Sequence, residues 1–244
     1  MQLRKLKYDV LIDPTVLIRN RNLLFIRLIN AKINIGYLKD TYKIFNINLK
    51  NKELHFSQIY KLALEQLGLQ KIDTTYDIPF NPKTEQDIST FLQQQHLNNF
   101  ICVNLFGAGS KRQFDQSKSA ELLKYIMANS SCSIVLLTFP GINDKLKQLI
   151  KDVQGENKIF IFENTKTIFH SIELIRNAKL CISPDTSIVH IAAGLNKPLI
   201  CFYSQDQENF LNWSPNNMNT THILRYKDNI NETNISDIKP SWLI

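Results

Sequence analysis

The sequence has no apolar stretch approaching the roughly 20 residues that a membrane-spanning helix requires. Its first residues, MQLRKLKYDVLIDP, carry positive charge but lack the apolar core of a secretory signal peptide. It also lacks internal repeats and low-complexity tracts, and hydrophobic residues make up 43% of its 244 residues. These features predict a soluble, cytoplasmic, globular protein with one large domain or two small ones.

Several signatures of metal and nucleic-acid binding are missing as well. The cysteines Cys102, Cys132, Cys181 and Cys201 form no C-x-x-C pair, and each lies in or beside an apolar strand-like run. We therefore predict small buried thiols in a reducing compartment. The sequence has no G-x-x-x-x-G-K-S/T loop, no D-x-D motif and no RNP, zinc-finger or helix-turn-helix pattern.

Acidic residues are scarce in the first fifth of the chain. Residues 1–52 hold 11 Lys or Arg against three acids, whereas the other 192 residues hold 18 against 19, so this segment accounts for the net charge of +7. A basic surface suits an anionic partner such as nucleic acid, a lipid headgroup, or a phosphorylated or carboxylated sugar. An ordinary solvated surface is the alternative interpretation.

What the sequence does contain is an alternation of strand-like and helical segments. From about residue 98, apolar strands alternate with helices, which predicts a parallel, doubly wound sheet. The earlier part shows only two convincing strands and two or three helices, and residues 40–52 are predicted to be a loop. The predicted limits are a partial N-terminal Rossmann-like domain (1–80), a linker and helix (81–99) and a C-terminal Rossmann-like domain (100–244).

A glycine-containing loop, NLFGAGSKRQF, follows the strand FICVNL. Gly107 and Gly109, with Ala108 between them, allow the backbone close to a ligand, and successive amides there can bind an anion. Lys111 adds a cation, and Arg112 another. The alternative is a plain turn, since two glycines in a loop are a weak signal.

A second polar segment, SPDTSIVH, follows a later apolar strand. Asp185 is placed to cap the next helix, and the amides and hydroxyls of Thr186 and Ser187 would favour a diphosphate there. His190 lies one turn further, on the same side as Thr186. Helix capping together with a core histidine is the alternative.

A third segment, TFPGIND, ends another strand. It could face a base or a ribose, but Pro140-Gly141 favours a simple turn. Because ligands bind beyond the carboxyl ends of parallel strands, the three segments together indicate a nucleotide diphosphate ligand.

The stretch SPDTSIVHIAAGLNKPLICFYS resembles the D-T-G-x-x-H-x-A-A-A-L-x-x-P-x-x-x-x-F-G signature of glycosyltransferase family 9, the ADP-heptose:lipopolysaccharide heptosyltransferases. NLFGAGSKRQF is similar to the family's P-G-A-x-x-x-x-K-x-W donor loop, and YDVLIDPTVLIRN with NIGY is similar to a stretch of its N-terminal domain. Ser187 replaces the usual Gly and Gly194 an Ala. The matching signature residues are Asp185, Thr186, His190, Ala192, Ala193, Leu195 and Pro198.

The resemblance implies a GT-B fold, in which the C-terminal domain holds the nucleotide-sugar and the N-terminal domain the acceptor. Lys111 would then meet the donor phosphates, and Gly107, Ala108 and Gly109 would belong to the same donor loop. Thr186, Ser187 and His190 would cradle the diphosphate, with Asp185 at the sugar or as a cap. Thr167 would line the base pocket.

One departure concerns the N-terminal domain. The family's first strand, its glycine loop and the aspartate proposed as catalytic base have no counterpart here, so no catalytic residue is assigned. We expect either an N-terminally truncated open reading frame or a shortened member of the family. Asp9, at a strand start, and Asp13, a predicted cap or turn residue, are not that aspartate.

The expected reaction is inverting transfer of a sugar, with heptose as the family default, from an ADP-heptose-like donor to an anionic lipopolysaccharide or lipooligosaccharide core. Arg19, Arg21 and Arg27 would meet that acceptor. No metal site or cofactor is required, although a loosely held Mg²⁺ on the diphosphate stays open. The expected location is the cytoplasm, with contact at the inner face of the inner membrane as a further option, and no nucleic-acid partner is expected.

The alternatives are an inactive nucleotide-sugar-binding remnant of the family, a basic nucleic-acid-binding protein and a nucleotide-sugar epimerase on the same fold. A remnant would bind the nucleotide-sugar without releasing ADP when acceptor is present, whereas a transferase would release it. A nucleic-acid-binding protein would bind nucleic acid with an affinity that falls as salt is added. The sequence names neither the transferred sugar, nor the acceptor position, nor the oligomeric state.

Overall fold

A computed structural model describes residues 2–244. The chain forms two compact units: unit 1 is Met1–Thr74 with Leu211–Ser214, and unit 2 is Thr75–Phe210 with Pro215–Ile244. The sequence-based domain limits remain predictions. No helix of the described residues is both long and apolar enough to cross a bilayer.

Unit 1 contains a three-stranded parallel sheet in the order β1-β2-β3. Its core is formed by the strands and the apolar face of α3, where Ile59 and Ala63 are buried. The elements are α1 (Gln2–Lys5), β1 (Val10–Asp13), α2 (Asn20–Ile29), β2 (Ile33–Tyr37), β3 (Ile47–Leu49) and α3 (Phe56–Glu65).

The prediction that residues 40–52 form a loop was wrong, because β3 lies within them. Asparagine side chains flank this short strand and bond to the backbone of its surroundings. The Asn46 side chain accepts from the Asn34 amide at 2.7 Å, and the Asn48 side chain accepts from the Lys39 amide at 2.7 Å. Pairing with β2 therefore overrides the low strand propensity of asparagine.

Unit 2 contains a six-stranded parallel sheet in the order β6-β5-β4-β7-β8-β9. Together with the parallel sheet of unit 1, this confirms the predicted α/β class. The elements are α4 (Pro82–Gln94), β4 (Phe100–Val103), α5 (Gln116–Asn129), β5 (Ser133–Leu136), α6 (Asn143–Asp152), β6 (Ile159–Ile161), α7 (Ile168–Asn177), β7 (Leu180–Pro184), α8 (Ser187–Gly194), β8 (Leu199–Ser204), α9 (Gln207–Trp213, which ends in unit 1) and β9 (Thr221–Tyr226).

The strands of unit 2 are apolar at consecutive positions because helices cover both faces of the sheet. In β4, Ile101 and Val103 pack into one buried cluster, whereas Phe100 and Cys102 pack into the cluster on the opposite face. The 3₁₀ turns after β9 complete the first cluster with Ile230.

The cysteines are buried and unbridged, as predicted: Cys102, Cys132, Cys181 and Cys201. Burial raises the thiol pKa of Cys102 well above its ordinary value and that of Cys181 to about 12, with Cys201 shifted in the same direction. These thiols are therefore protonated and unreactive at neutral pH.

Candidate donor site at the carboxyl edge of the unit 2 sheet

The strand order of unit 2 reverses between β4 and β7. The chain runs from β4 through β5 to β6 on one side, then crosses back to β7 on the other. In open parallel sheets the crevice at such a reversal, beyond the carboxyl ends of the strands, is where ligands bind. The glycine loop (104–109) follows β4, and residues 184–187 end β7 and begin α8.

The backbone geometry explains why two positions of the loop after β4 are occupied by glycine. A Cβ on Gly107 would lie 2.3 Å from the carbonyl oxygen of Arg112, so only glycine fits under that backbone. Gly109 has a φ of +81°, which side chains disfavour. Ala108, between them, is exposed. The loop is thus folded tightly against its own 3₁₀ turn (Ser110–Arg112).

The two cations of that turn differ in their surroundings. The Lys111 side chain is exposed, and in the described part of the chain no hydrogen bond or ion pair involves it. Arg112 instead places a terminal nitrogen 3.1 Å from a carboxylate oxygen of Asp185, and its side chain is 37% exposed. Arg112 is therefore fixed at the crevice while part of its guanidinium still faces solvent.

Asp185 lies at the centre of a buried polar cluster. Its residue exposure is only 5%, and besides Arg112 it accepts a hydrogen bond of 3.0 Å from the Asn209 side chain. Burial raises the pKa of the Tyr203 hydroxyl, and a hydrogen bond to Asp185 adds to that shift. A buried carboxylate needs such partners, because an unpaired charge would be costly away from water.

The prediction that Asp185 caps α8 was wrong. Thr186 is the N-cap, and its hydroxyl accepts from the Ile188 amide at 3.3 Å. The reason is that the Asp185 carboxylate is engaged by Arg112 and Asn209 and cannot also turn back to the helix amides.

Asn104 was not predicted as a site residue, yet it ties the two loops together. Its side-chain amide donates to the Phe106 carbonyl at 2.8 Å and to the Ser183 hydroxyl at 3.1 Å, with a longer contact of 3.4 Å to Thr186. It is buried. The sequence did contain one indication of this role, because Asn104 is a polar residue directly after an apolar strand.

The first turn of α8 opens onto this crevice. Thr186 is half-buried, and its hydroxyl also lies 3.3 Å from the Ser183 hydroxyl, whereas Ser187 is exposed. His190 is half-buried one turn further and meets the Tyr76 ring edge-on, with ring centroids 5.2 Å apart. Whether His190 contacts a ligand stays a prediction.

Gly194 in α8 allows the segment around Tyr76 to approach this helix. A Cβ at this position would lie 2.5 Å from Ile78 and 2.8 Å from Tyr76. We expect Gly194→Ala to destabilise unit 2 by about 1–3 kcal/mol, because the extra methyl overpacks the contact. Urea unfolding measures this, and Ile78→Ala in the same chain should recover part of the loss. An unchanged midpoint would mean that the segment simply moves aside.

Thr167 lies on another part of the same sheet edge. It precedes α7, is exposed, and lines a groove of about 930 Å³ together with Asn81, Lys83 and Asn164. The groove begins where β6 ends, two strands from β4, which is roughly 10 Å across the sheet. That separation suits a base and a diphosphate of one nucleotide.

The segment TFPGIND forms a turn whose polar side chains donate hydrogen bonds to backbone carbonyls of the protein. The Thr138 hydroxyl donates to the Phe162 carbonyl at 2.8 Å, and the Asn143 side chain donates to the Glu163 carbonyl at 2.8 Å. Gly141 has a φ of +90°. The turn interpretation is therefore favoured over direct contact with a base.

The predicted acceptor residues belong to unit 1. Arg19 precedes α2, Arg21 and Arg27 lie on it, and all three are exposed. None of them takes part in an ion pair within residues 2–244. Arg27 and Lys43 line a cavity of about 440 Å³ between α2 and residues 41–44.

A lysine that sequence analysis missed closes the carboxyl edge of the unit 1 sheet. The Lys39 ammonium is fully buried, donates to the carbonyls of Asp13, Thr15 and Tyr37, and lies 3.6 Å from the Asp13 carboxylate. Asp13 also accepts hydrogen bonds from the amide and hydroxyl of Thr15, which confirms its prediction as a turn residue.

The described residues contain no cluster of His, Cys, Asp or Glu able to hold a metal ion.

A sequence model described as glycosyltransferase family 9 (heptosyltransferase) matches residues 1–242. A protein of Escherichia coli strain K12, provisionally named lipopolysaccharide heptosyltransferase 4, is 23% identical over 233 residues, which is 91% of this chain and 62% of that protein. The chain spans between 36% and 62% of the length of the curated relatives it matches.

Solved structures show the same fold. The structure of E. coli ADP-heptose lps heptosyltransferase II matches with a TM-score of 0.70 at 15% identity, covering 99% of this chain and 76% of that chain. E. coli heptosyltransferase WaaC with ADP matches with a TM-score of 0.64 at 17% identity, covering 98% and 73%. These matches confirm the predicted GT-B fold class.

Proposed function

Since the chain belongs to glycosyltransferase family 9, we propose that it binds a nucleoside diphosphate sugar at the carboxyl edge of the unit 2 sheet and transfers the sugar to an anionic lipopolysaccharide core. The observation that carries the proposal is the crevice between β4 and β7. There the glycine loop, the first turn of α8 and the Arg112–Asp185 pair meet.

The chemical demand of the reaction is stabilisation of the leaving group. When an acceptor hydroxyl attacks the anomeric carbon from the opposite face, the bond from that carbon to the diphosphate oxygen breaks and negative charge grows on the diphosphate. Three features support that charge here: the N-terminus of α8 with its helix dipole, the exposed Ser187 hydroxyl and the fixed guanidinium of Arg112.

The rest of the donor would extend along the sheet edge. In this proposal the base lies in the groove lined by Thr167, roughly 10 Å from the diphosphate. ADP-heptose is the proposed donor because the names of two structural neighbours contain ADP or ADP-heptose.

The acceptor is proposed to contact unit 1. A core sugar that carries phosphates or carboxylates would meet Arg19, Arg21 and Arg27, which have no acidic partner among the described residues. The proton of the attacking hydroxyl must pass to a positioned base. No residue of this chain is assigned that role.

Calorimetry with ADP-heptose, ADP-glucose, UDP-glucose and ADP tests donor binding directly, and release of ADP in the presence of lipopolysaccharide core tests transfer. We expect an ADP-sugar to bind and ADP to be released. Binding without release would support a nucleotide-sugar-binding protein without transferase activity. Failure to take up any of these nucleotides would overturn the proposal.

Ser187→Asp makes the test specific to the crevice. An acidic residue in the first turn stabilises a helix, yet this carboxylate would repel a bound diphosphate. We expect donor affinity to fall roughly tenfold or more while thermal stability is kept or raised. Ser117→Asp, an exposed position in the first turn of α5, is the matched control and should leave affinity unchanged.

A further inference from the structure

Arg225, the last residue but one of β9, carries a guanidinium that the fold supports but does not pair. Its central carbon lies 4.2 Å from the centroid of the Phe210 ring, in a cation–π contact over the ring face. None of the ion pairs among the described residues involves it. Arg225 is half-buried, and a charge away from water normally requires an acidic partner.

The unpaired nitrogens lie on one edge of this guanidinium. Nε and Nη2 of Arg225 are both buried, and no acceptor in the described part of the chain forms a hydrogen bond with either. The N–H groups of these two nitrogens point in the same direction, in the arrangement that binds both oxygens of a carboxylate. Because two unsatisfied donors are costly, this edge is suited to a planar oxyanion.

A series of contacts connects Arg225 with the crevice. The Phe210 ring that supports the guanidinium meets Tyr203 edge-on at 5.3 Å, and the Tyr203 hydroxyl bonds to Asp185. Asn209, the residue before Phe210, donates to the same carboxylate at 3.0 Å. The residues that hold Asp185 in place therefore also position Arg225.

The end of β9 also borders the crevice from the opposite face of the sheet. Tyr226, the last residue of the strand, is 3% exposed, and its hydroxyl is buried without a hydrogen-bond partner among the described residues. Burial raises the pKa of this hydroxyl, while Arg112 opposes the shift and Asp185 adds to it. Both members of the Arg112–Asp185 pair therefore act on the end of β9.

The strand order indicates which part of a substrate would reach Arg225. The groove proposed for the base begins at β6 and the crevice lies between β4 and β7, with β8 and β9 beyond them. A donor that runs from β6 to β7 directs its sugar, and the acceptor that attacks it, toward β8 and β9. Arg225 lies two strands from β7, roughly 10 Å across the sheet, which a substituent of either sugar can reach.

We propose that Arg225 binds a carboxylate carried by one of the two sugars, through Nε and Nη2, and makes the site selective for an acidic sugar. This inference rests on the proposed function, which supplies the two sugars. A neutral hydroxyl would leave one of the parallel N–H groups unpaired. Since the edge is buried, we expect the Arg225 side chain to change rotamer over the Phe210 ring as the ligand binds.

Calorimetry distinguishes the donor from the acceptor as the source of the carboxylate. The donor arm compares ADP-glucuronate with ADP-glucose, which has a hydroxymethyl group in place of the carboxylate. The acceptor arm compares lipopolysaccharide core oligosaccharide with the same material after its carboxylates have been reduced to alcohols, both in the presence of ADP. We expect a preference of roughly tenfold or more for the acidic ligand in one arm.

Three variants assign that preference to the edge of the guanidinium. Arg225→Gln should abolish it while changing the affinity for the neutral ligand less than about threefold, and Arg225→Lys should restore only part of it. Lys227→Gln removes an equal charge at an exposed position two residues further along and should leave the preference unchanged. Thermal melts check that each variant folds.

Equal affinities for acidic and neutral ligands in both arms would overturn the inference and leave the proposed donor site intact. An equal loss of both ligands in Arg225→Gln would also overturn it, since Arg225 would then act only by supporting Phe210 and Tyr203. Failure of every ADP-containing ligand to bind would instead refute the proposed function, and this inference with it.

Discussion

Replacing Arg112 with alanine is expected to weaken donor binding by about 10- to 100-fold, the loss associated with charge-assisted hydrogen bonds. Arg112 is the cation that the fold holds at the crevice, through a contact of 3.1 Å with the buried Asp185 carboxylate. A guanidinium has five N–H donors, so one bond to Asp185 leaves others for a diphosphate. Calorimetric titration with ADP measures the loss on protein whose folding is checked by a thermal melt.

Lys111→Ala is the matched control for this prediction. Lys111 is adjacent in sequence and carries the same charge, but its side chain is exposed and takes part in no hydrogen bond or ion pair within the described chain. Holding a flexible lysine on a phosphate costs side-chain entropy that a pre-positioned arginine does not lose. We therefore expect less than about a threefold change. The opposite ranking, with Lys111→Ala the more damaging variant, would restore Lys111 as the phosphate ligand.

Arg112→Lys separates charge from geometry. Lysine keeps the positive charge but cannot bind Asp185 and a phosphate through one planar group. We expect an intermediate affinity, with the larger part of the loss in the catalytic rate if the diphosphate leaves in the rate-limiting step. Equal donor affinity and catalytic rate for Arg112→Lys and the wild-type chain would show that a positive charge alone is sufficient at this position.

The layered core of unit 2 was predictable because its strands are apolar at consecutive positions. Runs such as FICV place neighbouring residues in clusters on opposite faces of the sheet, a pattern that requires helices on both sides. The position of the crevice followed from the same pattern, since strand ends and following loops can be read along the chain.

The strands that escaped prediction depend on contacts distant in sequence. β3 has only three residues and is flanked by asparagines, so its sheet pairing with β2 and side-chain bonds to Asn34 decide its conformation. β9 follows a polar segment and is fixed by pairing along its whole length with β8. Local propensity holds too little information for either.

The Arg112–Asp185 pair illustrates what sequence reasoning missed in the site. Its members lie on different loops and meet only because β4 and β7 are neighbours in the sheet. One signal was present: the similar family loop has its lysine two residues before an aromatic residue. In this chain the buried Phe114 stands two residues after Arg112, so that spacing favours Arg112 over Lys111.

Replacing Lys39 with methionine is expected to destabilise unit 1 by about 3–5 kcal/mol, the usual cost of removing one partner of a buried ion pair. The Lys39 ammonium is fully buried, and burial lowers its pKa despite the opposing effect of Asp13. Methionine would leave three carbonyls and the Asp13 carboxylate without this donor. The loop that these bonds hold leads into α2, so the start of that helix should loosen as well.

Lys32→Met is the control that separates burial from ion pairing. The Lys32 ammonium lies closer to its partner, 2.7 Å from Asp9, than the 3.6 Å between Lys39 and Asp13, but both Lys32 and Asp9 are largely exposed. Water and salt screen an exposed pair, so we expect no measurable change for Lys32→Met. Trp213 stacks on Phe56 within unit 1 at 4.1 Å, so its fluorescence in a Trp242→Phe background follows urea unfolding of this unit. Equal midpoints for the two variants would contradict the argument, because burial would then not decide how much each ion pair stabilises the unit.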